Sequence, residues 1–128
     1  MLDPVIRDFA RAKNFGSISF HLPDGAIGTH VMWVDADDDH VLINTEVHRA
    51  KYKAITEDPN VTVTIWGSDP YKYAEVRGTL TGEVRGPEAR AHIDALSQRY
   101  TSADYSGTIQ SERVILQISP VRTRTHGF

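Results

Sequence analysis

Polar and apolar residues alternate through stretch after stretch of this chain, and that period of two commits most of it to β-strand. From Ala26 to Val34, Ile27, Thr29, Val31 and Trp33 share one face, while Gly28, His30, Met32 and Val34 share the other. Val61 to Ile65 is dense in β-branched residues, which favour a pleated surface. Tyr71 to Val84 alternates at length, with Gly78 and Gly82 as candidate bulges or bends. Glu112 to Ser119 sets Val114, Leu116 and Ile118 on one face, and Pro120 is expected to end it. Ser17 to His21 and Val41 to Thr45 read as shorter strands. Pro23-Asp24-Gly25, the polar run Asp35 to Asp39 and the loop Trp66 to Pro70 supply turns between them. Strands joined by short turns pair antiparallel. The expected fold is therefore mainly β: a small antiparallel barrel of about six strands, not a parallel α/β sheet.

Helical spacing punctuates the strands. Pro4 to Lys13 places Val5, Ile6, Phe9 and Ala10 on one side, with Asp3 as N-cap and Pro4 at the first helical position. His48-Arg49-Ala50-Lys51-Tyr52-Lys53 opens a second helix directly after a strand, and Asp58-Pro59 breaks it into the next strand. Gly86-Pro87-Glu88 begins a third helix, whose stripe of Ala89, Ile93, Leu96 and Tyr100 needs a sheet to cover. Thr101 to Ser111 is a polar loop. With 128 residues and neither repeats nor linker-like composition, residues 1–128 are expected to form one domain.

Composition removes several classes of function. A net charge of −3 argues against a dedicated nucleic-acid binder, so any anion site must be local. The absence of cysteine excludes disulfides, thiolate metal sites and a cysteine nucleophile, and fits a cytoplasmic protein. No apolar run approaches membrane-spanning length, and Met1-Leu2-Asp3-Pro4 has no signal-peptide pattern. Asp35, Asp37, Asp39 and Glu46 mimic a calcium loop, but His40 stands where that loop needs glycine, and strands flank it. There is no G-x-S-x-G, H-E-x-x-H or G-x-G-x-x-G context. The chain carries no self-sufficient catalytic machinery, so if it is an enzyme, a bound cofactor carries the chemistry.

The basic helix start is the leading candidate for holding such a cofactor. Free N–H groups and the helix dipole attract an anion there, and Arg49 and Lys51 add formal charge. The competing reading is a solvated helix end. Trp66, Tyr71 and Tyr73, together with Trp33, suit a planar, phosphate-bearing ligand such as a flavin, or else plug a barrel end or a subunit interface.

The order of short motifs carries more than any one of them. Asp24-Gly25, Thr29-His30-Val31, Leu42-Ile43-Asn44-Thr45, Arg49-Ala50-Lys51 and Asp58-Pro59-Asn60-Val61 follow one another, then Tyr71 to Thr79, His92 to Leu96 and Arg113 to Pro120. Together they resemble the split β-barrel family typified by pyridoxamine 5'-phosphate oxidase, and more closely its actinobacterial branch of deazaflavin (coenzyme F420)-dependent reductases. The resemblance implies a six-stranded split barrel with flanking helices, assembled as a homodimer with cofactor sites at the subunit interface. It implies that Arg49 and Lys51 hold the cofactor phosphate and that Thr29, His30 and Val31 line the ring pocket. Ile43, Asn44 and Thr45 would flank that pocket, and Tyr71 would approach it from the facing subunit. The implied activity is hydride transfer from reduced F420 to a small unsaturated or quinone-like molecule. An FMN-dependent enzyme and a non-catalytic flavin carrier are the alternatives on the same scaffold.

Overall fold

The computed structural model describes residues 1–128. Helix α1 (Pro4–Arg11) precedes strands β1 (Phe15–His21), β2 (Ile27–Met32), β3 (Asp35–Ala36) and β4 (Val41–Glu46). Helix α2 (Ala50–Glu57), β5 (Asn60–Trp66), β6 (Tyr73–Arg85), α3 (Pro87–Thr101) and β7 (Arg113–His126) complete the chain. The strands form one antiparallel sheet in the order β2-β1-β5-β6-β7-β4-β3. Its edges, β2 and β3, are not hydrogen-bonded to each other, so the barrel is split.

The expected count of six strands becomes seven. Asp35 and Ala36, read as part of a polar turn, pair with Leu42 and Val41. Sequence polarity misled here because the Asp35 carboxylate is bound by His92 and Arg99 and so tolerates a place in the sheet, while Ala36 enters the core. A second correction concerns Pro120, which does not end β7. The ladder pairs Arg77 with Arg122 but Gly78 with Pro120, leaving Val121 as the extra residue of a bulge. A proline has no N–H to contribute, and the interrupted ladder at a bulge asks for none. The next irregularity lies between Leu80 and Gly82, so both glycines singled out for bends sit at register shifts.

Alternation built the core on β1 and β5, whereas β2 leaves Ile27 and Val31 exposed. Val114, Leu116 and Ile118 of β7 are fully buried with Ile18, Ile43, Val63, Ile65 and Val76. Asp3 caps α1 by accepting from the Val5 N–H at 2.8 Å, and Leu2, Ile6 and Ala10 seal one end of the barrel. Helix α3 lays Ala89, Ile93 and Leu96 against β4, β6 and β7. No helix is long and apolar enough to cross a membrane.

Candidate anion and cofactor site

Between the β2 edge, the start of α2 and the side of α3 lies an open cavity of about 640 Å³. Arg49 and Lys51 reach it from α2, where Arg49 is the N-cap residue and uses no side-chain bond to close the helix. Arg113, at the start of β7, is the third cation on its wall. Lys51 is buried, its charged neighbours are Arg49 and Arg113, and no carboxylate pairs with it. Burial first, and then those two cations, push its ammonium down to about 8.

A single carboxylate moderates the cluster. Glu46 is buried and lies 3.5 Å from the Arg113 guanidinium and 3.8 Å from that of Arg49. Burial would raise it, but the N–H groups of Ser111 and Gln110 donate to it at 2.9 and 2.7 Å, and with Arg113 they hold it below the usual range. Glu46 is thus engaged on several sides, and Lys51 keeps its surplus charge. Beside it, Thr45 Oγ1 is buried without a hydrogen-bond partner, and Thr45 lines the cavity. Such an orphan donor next to an unpaired buried cation is costly unless a ligand completes it.

The opposite wall is formed by Thr29, His30 and Val31 of β2, continuing to Trp33. Burial, then Lys51 and Arg49, lower the His30 imidazole, which favours its neutral form. Trp33 stacks on Tyr100 with ring centroids 5.3 Å apart and meets the edge of Tyr105 at 6.2 Å. Tyr105 also lies 5.3 Å from the Arg113 guanidinium. Ile93 and Leu96 of α3 add apolar wall.

Of the residues singled out in the sequence, Thr29, His30, Val31, Asn44, Thr45, Arg49 and Lys51 meet around this one cavity. Ile43 points into the hydrophobic core instead. Tyr71 is exposed in the turn before β6 and lies outside the lining. Trp66 and Tyr73 border a separate shallow hollow with Thr64 and Pro70, so among the tryptophans only Trp33 joins the cations. Arg113, Trp33 and Tyr105 complete the wall. Arg113 opens β7 opposite Glu46, a pairing that only the register of the sheet reveals.

The profile described as pyridoxamine 5'-phosphate oxidase matches residues 2–127. The chain belongs to this family. Among solved structures, this pyridoxamine 5'-phosphate oxidase family member is similar to an F420 reductase, with 25% identity and a TM-score of 0.80 over 92% of this chain and 94% of that one. It also resembles the conserved hypothetical protein Rv2991 from Mycobacterium tuberculosis, at 24% identity and a TM-score of 0.77, covering 98% of this chain and 84% of the other. The heme storage protein HutZ from Vibrio cholerae shares the fold at 13% identity and a TM-score of 0.67, with 99% and 96% covered. No curated protein matches this family member in sequence.

Proposed function

We propose that this protein is an oxidoreductase that binds coenzyme F420 in the cavity and uses it to reduce a small unsaturated or quinone-like acceptor. The observation that carries the reading is Lys51, a buried cation with no carboxylate partner, grouped with Arg49, Arg113 and the orphaned Thr45 hydroxyl. That donor set fits a phosphate. Likeness to an F420 reductase favours a deazaflavin over other phosphate-bearing groups. The cofactor, when bound, supplies hydride chemistry; the protein supplies position and electrostatics.

In this reading Arg49, Lys51, Arg113 and Thr45 hold the phosphate and fix the depth of the cofactor. Thr29, His30 and Val31 set the ring wall, Asn44 orients Arg113, and Trp33 and Tyr105 exclude water from the far side. His30 is favoured neutral beside the cations, so it offers the acceptor a hydrogen bond rather than a strong acid, and solvent can deliver the accompanying proton. The protein is a homodimer, and Tyr71 serves the cavity of the facing subunit. FMN chemistry is the second reading, favoured by the family to which the chain belongs; a carrier without turnover is the third.

Titration of the purified protein with F420 and with FMN separates them. F420 is expected to bind more tightly and, once reduced, to transfer hydride to a member of an acceptor panel. Arg49→Ala and Lys51→Ala should each weaken binding by about ten- to a hundredfold, the worth of a charge-assisted contact. Tighter FMN binding with turnover would establish the second reading, and binding without turnover the third. Unchanged affinity in both alanine variants would remove the phosphate from this site.

A further inference from the structure

We propose that Asn44 and His92 form a latch that holds Arg113 in the cation cluster, and that protonation of the His92 ring releases it. The proposal rests on reading the cavity as an anion site, with His92 as a positioning residue that acts through Asn44 and lies outside the cavity lining.

The orientation of the Asn44 amide is fixed by its partners. Arg113 Nε donates to Asn44 Oδ1 at 2.8 Å, and a guanidinium can only donate. Asn44 Nδ2 donates to the Ala89 carbonyl at 2.9 Å, and a carbonyl can only accept. The same Nδ2 lies 3.0 Å from His92 Nδ1, which therefore accepts. The ring proton then sits on Nε2 and donates to Asp35 Oδ2 at 2.9 Å. Arg99 holds the other Asp35 oxygen at 2.9 Å. Burial opposes the Asp35 charge, but the bonds from His92 and Arg99 outweigh it and keep that carboxyl below its usual range. Every donor in this chain meets an acceptor, and only the neutral, Nε2-protonated ring allows it.

A second proton on His92 would set an Nδ1–H against the Asn44 amino group at hydrogen-bond distance, two donors facing each other. The Asn44 side chain relieves this by withdrawing from the ring, because turning the amide over would set Oδ1 against the Ala89 carbonyl. That withdrawal takes Oδ1 away from Arg113 Nε, which loses its acceptor, and Arg113 falls back on Glu46 at 3.5 Å. Charges of both signs surround the ring. Asp35 on β3 is an anion bonded to the ring, whereas Arg99 on α3 and Arg113 on β7 are cations nearby, and Glu46 on β4 stands beyond Asn44. The latch thus converts one proton on the side of α3 into the loss of one cation contact in the cavity.

His92→Asn tests the idea, because Asn places a carbonyl oxygen where Nδ1 stands and cannot be protonated there. Two readouts are needed. In the cofactor-free protein, the Arg113 Nε–H resonance is expected to move toward that of an unbonded guanidinium between about pH 7.5 and about 5.5, yet to keep its position in His92→Asn. In titrations with FMN and with F420, lowering the pH from about 7.5 to about 5.5 should cost the wild type about tenfold more affinity than His92→Asn. Comparing the two proteins with the same ligand cancels titration of the ligand and of His30. An Arg113 signal indifferent to the His92 charge, or equal acid losses in both proteins, overturns the latch. If neither probe binds the wild type at any pH, the anion-site reading falls and the Arg113 signal alone decides. Should His92→Asn fail to fold, the wild type still decides, since the Arg113 resonance must move together with the His92 ring signals.

Discussion

Lys51 is the residue at which this protein works against its own stability. Its ammonium is taken from an ordinary value of 10.5 to about 8 by burial and by Arg49 and Arg113, so folding penalises the charged form. Between about pH 8 and 10.5 the unfolded chain holds more protons at this site than the folded one, and stability contributed by Lys51 rises with pH across that window. An anion reverses the preference, because it needs the charged form. Affinity for a phosphate-bearing cofactor is therefore expected to fall as pH rises through about 8. Lys51→Arg, whose charge persists, should keep its affinity there. Lys51→Met should bind poorly yet melt higher than wild type without ligand, by an amount on the order of 1–3 kcal/mol. Calorimetric melting and pH-resolved titrations check both halves. A lower melting temperature for Lys51→Met, or an alkaline limb kept by Lys51→Arg, would show that Lys51 carries no uncompensated charge. Arg49 and Lys51 were legible in the sequence because a helix start collects them locally. The bond from Arg113 to Asn44 spans 69 positions, and no local pattern announces such a partnership.

Elements followed the sequence wherever burial followed polarity. The strands around Ile18, Val63 and Val76 and the α3 stripe obey that rule, since each has one apolar side and one core to face. It failed at Asp35, where bonds to His92 and Arg99 rather than hydrophobicity hold β3 in place, and at Pro120, where a bulge removed the constraint that proline normally imposes. The long pairing of β6 with β7 depends on that bulge, and Gly78 is where backbone closes on it. A Cβ added there would meet the Ser119 carbonyl oxygen at 2.5 Å and Ile118 Cγ2 at 2.8 Å. Neither is the free end of a flexible side chain, so the strands must part. Gly78→Ala is expected to destabilise the protein by about 1–3 kcal/mol, read as an earlier midpoint in denaturant with an unchanged slope. Gly25→Ala meets no atom within 4 Å, so any cost there comes from its positive φ of 87° alone. Equal stability of Gly78→Ala and wild type would mean that the bulge yields without cost, and that the bend is not set by this glycine.

At the scale of the whole molecule, the sheet leaves one edge strand conspicuously apolar. Ile27 and Val31 on β2 are 68% and 71% exposed, and β2 has only β1 as a neighbour. Proteins ordinarily guard such an edge with charge, proline or a covering element, because open N–H and C=O groups beside apolar side chains invite another chain. Val31 also stands on the rim of the cation-lined cavity, and Ile27 borders a second hollow shared with Phe20, Arg77 and Val121. One partner surface laid along β2 would cover both and narrow the open side of the cavity. A second copy of this chain meets that need in the proposed homodimer, and Tyr71, exposed and unused by its own cavity, is then free to serve its partner. Sedimentation at micromolar concentration should find a dimer, and Ile27→Asp, which lies outside the cation-lined cavity, should yield a folded monomer. If the partner completes the site, that monomer should also bind F420 less tightly although every cation of its own cavity is intact. A wild-type monomer would remove the dimer. A dissociated variant with full affinity would keep the dimer but place the whole cofactor site within one subunit.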